Sequence, residues 1–175
     1  GFHFSLINHY FSKAQLFGAV AKEISEELLA AFASWLKNLD KMSPEKGLSL
    51  FLDRALDYFF KHPDVLQILM KNAGEAGSKG TAPGFDDFSK YVFTGTRFVV
   101  DTLGRDKNAQ HIMIWFYGML NLMINYVGAA PYHCQVLNLD PKSDDYRNWV
   151  KESLMFLFLP QLKELLRKPS KTESA

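Results

Sequence analysis

The sequence has a single cysteine, Cys134, in 175 residues, so no internal disulfide can form. An unpaired thiol fits a reducing compartment, and a cytoplasmic location is expected. β-Structure has no signature either: there is no run of alternating β-branched residues and no hairpin dipeptide between such runs. Enzyme motifs are missing as well. The chain contains no G-x-S-x-G, no H-E-x-x-H and no C-x-x-C. The histidines do not pair at metal-ligand spacing. His111, His133 and Cys134 offer nitrogen and sulfur donors, but a loop histidine and a lone buried thiol read as structural. Asp86-Asp87 and Asp144-Asp145 are adjacent on helices, so each pair points apart and reads as a solvated helix start. No catalytic residue, metal or cofactor is expected. Charge of one sign is also scarce: the formal net charge is +1, so contact with a polyanion would need a local patch. The N-terminus lacks the basic region followed by an apolar run that marks a signal peptide.

A further absence is local. From Ala109 to Leu139 there is no Asp, Glu, Lys or Arg. The stretch HIMIWFYGMLNLMINYVGAA approaches the length needed to cross a bilayer. His111, Asn121 and Asn125 would be costly in hydrocarbon, and amphipathic helices flank the run. The reading adopted is a helix near 108–127 that is buried on all sides inside a protein assembly, with no membrane role.

What remains is helical. The chain is 47% hydrophobic, enough for a substantial core. From Lys13 to Leu39, residues Leu16, Val20, Ile24, Leu28, Phe32, Trp35 and Leu39 recur at helical spacing, which predicts one long helix. Ser43-Pro44 reads as an N-cap followed by proline in the first turn. The next helix should stop by His62, because Pro63 disfavours a helical residue before it. GEAGSKGTAPG reads as a flexible link; it lacks the order and strand context of a phosphate-binding loop. A helix is expected over Phe85–Leu103, with Gly95 in its middle permitting close packing or a bend. PYHCQVLNLDPK reads as a loop. Ser143 should cap a last helix, kinked or split by Pro160. Residues 169–175 read as a disordered tail.

Aromatic and sulfur-bearing side chains concentrate on these helices. Phe51, Tyr58, Phe59, Phe88, Tyr91, Met113, Trp115, Tyr117 and Met119 are candidates to line an apolar pocket between helices. Each taken alone reads as a core residue; as a set they fit a pocket wall as well as a core.

The opening stretch, GFHFSLINHYFSKAQLF, reads as a short helix ending at His9-Tyr10-Phe11, a tight turn, and the start of the long helix at Lys13. It resembles the end of the DNA-binding domain in the tetracycline-repressor family of transcription regulators. In that family a glycine turn precedes the recognition helix, which ends in an aromatic/His pair and a Phe, with a Lys soon opening the next helix. FKHPDVLQILMKNA is similar to a helix junction common in those proteins. The chain departs from the pattern at Ser12, a single residue where the family usually has two before the Lys.

The resemblance implies an all-α fold. Residues 1–22 would be the last part of a helix-turn-helix domain whose earlier helices precede Gly1, and residues 23–168 a helical effector-binding and dimerisation domain. It implies that His9, Tyr10 and Lys13 contact phosphates of double-stranded operator DNA, while Ser5, Leu6 and Asn8 lie at the base-reading surface. It further implies a homodimer through the helices near 108–127 and 144–167, and a small, mostly apolar effector between the helices of residues 47–130. The resulting expectation is a ligand-responsive transcription regulator acting as a repressor. The alternative is a helical small-molecule-binding or scaffold dimer with no DNA role.

Overall fold

A computed structural model of the chain describes residues 13–67, 70, 85–103 and 108–167. Every regular element among them is helical, as the missing strand pattern predicts. Helix α1 spans Lys13–Leu36 and a short 3₁₀ turn spans Leu39–Lys41. Then come α2, Pro44–Lys61; α3, Phe85–Leu103; α4, Ala109–Gly128; α5, Ala130–Leu137; and α6, Asp144–Leu166.

Local chemistry sets most of the boundaries. Ser43 adopts an extended backbone and its hydroxyl accepts from the Lys46 N–H at 3.4 Å, with Pro44 in the first turn. α2 ends at Lys61, and His62 leaves the helical region just before Pro63. Ser143 caps α6 by accepting from the Tyr146 N–H at 3.2 Å, and Asp144 and Asp145 occupy its positively polarised first turn.

Three expectations need correction. The long helix does not reach Leu39. It stops at Leu36, and Asn38 turns the chain with a left-handed φ of 67°. The Arg54 guanidinium donates to the freed carbonyls of Trp35 and Lys37 at 2.9 and 3.0 Å, so a side chain from α2 finishes α1. Second, residues 131–137 of the stretch read as a loop belong to helix α5. Pro131 sits in its first turn, where its missing N–H costs nothing, and Asn138 ends it at φ 54°. Third, of the kink or split expected at Pro160, the split does not occur: α6 runs unbroken through it. Pro160 and Phe156 are both exposed, so the Phe156 carbonyl that would have bonded residue 160 can be met by water.

Pairwise contacts give the helix directions. Tyr146 reaches the Tyr126 carbonyl, Phe158 meets Trp115, and Asn108 meets the Leu165 carbonyl, so α4 and α6 are antiparallel. Lys163 pairs with Glu45, Lys151 with Asp53 and Arg147 with Asp57, so α2 and α6 are antiparallel too. α3 lies along α1, with Gly95 placed where an added Cβ would touch the Phe32 ring at 3.6 Å. Of the two expectations for Gly95, the contact fits close packing.

The core lies between α1, α2, α4 and α6, with Leu52, Leu56, Phe59, Ile112, Met119, Met123, Val150 and Leu154 essentially inaccessible. Tyr146 is buried among them and donates its hydroxyl to the Tyr126 carbonyl at 2.6 Å, which satisfies its polar end. Burial pushes its phenol well above the usual range. α4 is not buried on all sides within one chain. Ile112, Phe116, Met119, Met123 and Val127 face the core, whereas Ile114 and Tyr117 are 63% and 54% exposed. Among the described residues no single helix is long and apolar enough to cross a membrane. The bent pair α4–α5, turning by 78°, meets those criteria only when taken together.

Candidate ligand-binding site

The 37–43 connection brings α1 and α2 into a hairpin. Leu39 and Met42 lie over buried Gly47, where a Cβ would sit 3.6 Å from the Leu39 carbonyl oxygen. Beneath this turn, the carbonyl ends of α1, α3 and α6 meet the beginning of α2 and the first half of α4 without closing fully. They enclose a cavity of about 180 Å³. Its walls are Leu36 of α1; Leu48 and Phe51 of α2; Val99 and Leu103 of α3; Trp115, Phe116 and Met119 of α4; and Leu162 and Leu166 of α6. Leu39, Asp40, Met42, Ser43 and Pro44 complete the lining; Asp40, Met42 and Ser43 are exposed and so mark the mouth.

The aromatic walls are held by their neighbours. Phe32 of α1 meets Phe51 edge-to-face at 6.1 Å between centroids and Phe116 at 5.3 Å, and the Phe51 and Phe116 rings are 6.2 Å apart. The Trp115 indole N–H donates to the Phe158 carbonyl at 2.9 Å, fixing the ring and leaving its apolar face for the cavity. Polar chemistry inside is slight. Among the described residues of the lining Asp40 is the only ionisable one, and the Ser43 hydroxyl already accepts from a backbone N–H. The arrangement can sequester an apolar body. It offers no nucleophile poised by a base, and among the described residues no group of three or more His, Cys, Asp or Glu side chains could hold a metal.

Of the pocket candidates, Phe51, Trp115 and Met119 line this cavity. Phe59 does not: it is fully buried against Trp35 and Tyr58, at 5.5 Å from each ring. Tyr58 meets Trp35 edge-on and His62 in a tilted contact. Met113 packs against the core, and Tyr117 points outward. Sequence reasoning missed the contributions of Leu36, Leu39, Asp40, Val99, Leu103, Leu162 and Leu166. The apolar spacing marks a buried stripe, but nothing in that spacing marks a gap between stripes. The side chains of Phe88 and Tyr91, the DNA-contact candidates Ser5, Leu6, Asn8, His9 and Tyr10, and the Lys13 side chain lie outside the described residues.

Cys134 is buried in α5, and burial, with Asp140 adding a smaller effect, raises its thiol above the usual range. Its neighbour His133 bonds Asn125 at 3.0 Å and packs on Tyr126 and Tyr132. No known protein family, curated protein or solved structure significantly matches this chain.

Proposed function

We propose that the chain is the effector-binding and dimerisation part of a ligand-responsive DNA-binding transcription regulator, acting as a repressor. The observation that carries this reading is the position of the cavity. It abuts the C-terminal end of α1, the helix that begins at Lys13 directly after the sequence resembling a recognition helix. The helix is a lever: 24 residues span roughly 36 Å, so a tilt of about 5° moves the far end by about 3 Å. Two reading helices must sit about one DNA turn apart to engage both half-sites, so such a shift lowers affinity. The apolar stripe of α1 supports a partner at its other end. Phe32, Trp35 and Leu36 are buried, but Leu16 and Val20 are exposed among the described residues.

The dimer in this reading forms through α4 and α6. These helices pack on each other through Trp115, Gly118 and Phe158, and leave Ile114, Tyr117, Phe156 and Leu157 at 63, 54, 80 and 47% exposure. A stable dimer buries about 800 Å² on each partner, and apolar residues on two adjacent long helices can supply much of that. Phe156→Asp combined with Ile114→Asp is expected to convert the dimer to monomer in sedimentation velocity. A native chain that sediments as a monomer at tens of micromolar would remove the dimer from the proposal.

The cavity and the exposed helices equally suit a helical ligand-binding or scaffold dimer without a DNA role. The separating experiment is DNA selection with the full-length protein, followed by fluorescence anisotropy over a salt series. A regulator selects a two-fold site and loses affinity steeply with salt, and a cavity ligand weakens binding. Absence of any sequence preference leaves only the ligand-binding dimer.

A further inference from the structure

If the cavity is a ligand site, as proposed, its size and the charge at its mouth also define the class of ligand. Its volume, about 180 Å³, compares with the roughly 150 Å³ of an engineered apolar cavity that takes up benzene. One aromatic ring with a short chain fills it. Phe51, Trp115 and Phe116 supply aromatic walls for such a ring, and the remaining wall is aliphatic.

The mouth sets the head group. Among the described lining residues Asp40 is the only charged one, and it makes no ion pair among the described residues. None of the described cations nearby lines the cavity. Arg54 is held by the carbonyls of Trp35 and Lys37, Lys163 pairs with Glu45 at 3.4 Å, and Lys41 and Lys46 are exposed and do not line the cavity. α2 begins here and α1, α3 and α6 end here, with the α1 carbonyls covered by Arg54, so the helix ends do not favour an anion. The Lys46 N–H in the first turn of α2 is already taken by Ser43. Among the described lining residues, the charge that the polar end of a ligand would touch at the opening is therefore the Asp40 carboxylate.

We infer that this cavity binds a small amphiphilic amine: a body of about one aromatic ring inside, and a protonated amino group at the mouth against Asp40. A carboxylate on the same body is disfavoured, because its charge would meet Asp40 while its body occupied the same space.

The test is isothermal titration of the full-length protein with three probes that share a three-carbon phenylalkyl frame: 3-phenylpropylamine, 3-phenylpropan-1-ol and 3-phenylpropionate. The amine is expected to bind about fivefold more tightly than the alcohol, the scale of a partly exposed ion pair. It should bind more than about tenfold more tightly than the carboxylate, where attraction becomes repulsion. Asp40→Asn, at an exposed position, should bring the amine to the level of the alcohol and leave the alcohol unchanged. In the native protein, raising salt to about 0.5 M should shrink the amine's advantage without affecting the alcohol. An amine that binds no better than the alcohol, or an advantage that survives Asp40→Asn, overturns the amine assignment while leaving the cavity as a ligand site. Failure of all three probes to bind overturns the ligand site itself.

Discussion

Phe32 is the residue that ties α1 most directly to the aromatic wall of the cavity, and replacing it is the sharpest test of the core. Its ring is buried and meets Trp35, Phe51 and Phe116 edge-on at 6.0, 6.1 and 5.3 Å. Phe→Ala in a core costs about 3–5 kcal/mol through lost transfer energy and the void left behind. Aromatic pairs add roughly 0.5–1.5 kcal/mol beyond burial, and with three such contacts Phe32→Ala should cost at least the middle of the core range, about 4 kcal/mol. The void would adjoin an existing cavity, so little collapse is available to reduce the loss. Urea denaturation followed by circular dichroism should show the midpoint falling with the slope unchanged. For a chain of this size the melting temperature should drop by roughly 8–16 °C. A double-mutant cycle with Phe116→Leu should return a coupling of about 0.5–1.5 kcal/mol, because the two rings are in contact. A Phe32→Ala loss below about 1.5 kcal/mol would refute the packing of α1 against α2 and α4. In the regulator reading the same variant also uncouples the cavity from α1: ligand would still bind, with a reduced effect on DNA affinity.

Other outcomes follow from single contacts. Gly95→Ala should stabilise by up to about 1 kcal/mol in urea titrations, since helix interiors prefer alanine and the new Cβ finds ordinary contact with Phe32; a loss of stability would mean that α1 and α3 approach too closely for a methyl group. Tyr146 has a raised folded-state value, so ionisation favours the unfolded chain: its stabilisation is complete below the ordinary tyrosine value of about 10 and declines as pH rises above it. Tyr146→Phe should lower stability at pH 7 by about 1–2 kcal/mol, by orphaning the Tyr126 carbonyl, and should flatten the alkaline decline; an unchanged alkaline slope would assign that decline to other groups. The Cys134 thiol, buried and raised, should resist a disulfide reagent at pH 8 in the native protein and react at once in urea; rapid native reaction would place it at the surface.

Local structure was largely legible in the order of the residues. The all-α class followed from periodicity, and the starts of α2 and α6 followed from Ser43 and Ser143, because a capping bond spans three residues and is written in the order of the chain. The end of α2 followed from Pro63 in the same way. Asn38 stopping α1 and Pro131 opening α5 were local signals too, but each competes with an apolar pattern or a turn composition pointing the other way. The site was not legible, because it is a matter of long-range geometry. Whether Phe51, Phe59 and Trp115 fill the core or face a void depends on how closely four helix ends and the first half of α4 converge, which periodicity does not encode. Trp115 and Phe59 have the same helical credentials, yet one lines the cavity and the other is sealed against Trp35 and Tyr58. Asp40 carries no signal in the sequence, because an isolated acidic residue in a turn is ordinary. It acquires meaning only where the fold sets it at the mouth of an otherwise apolar chamber.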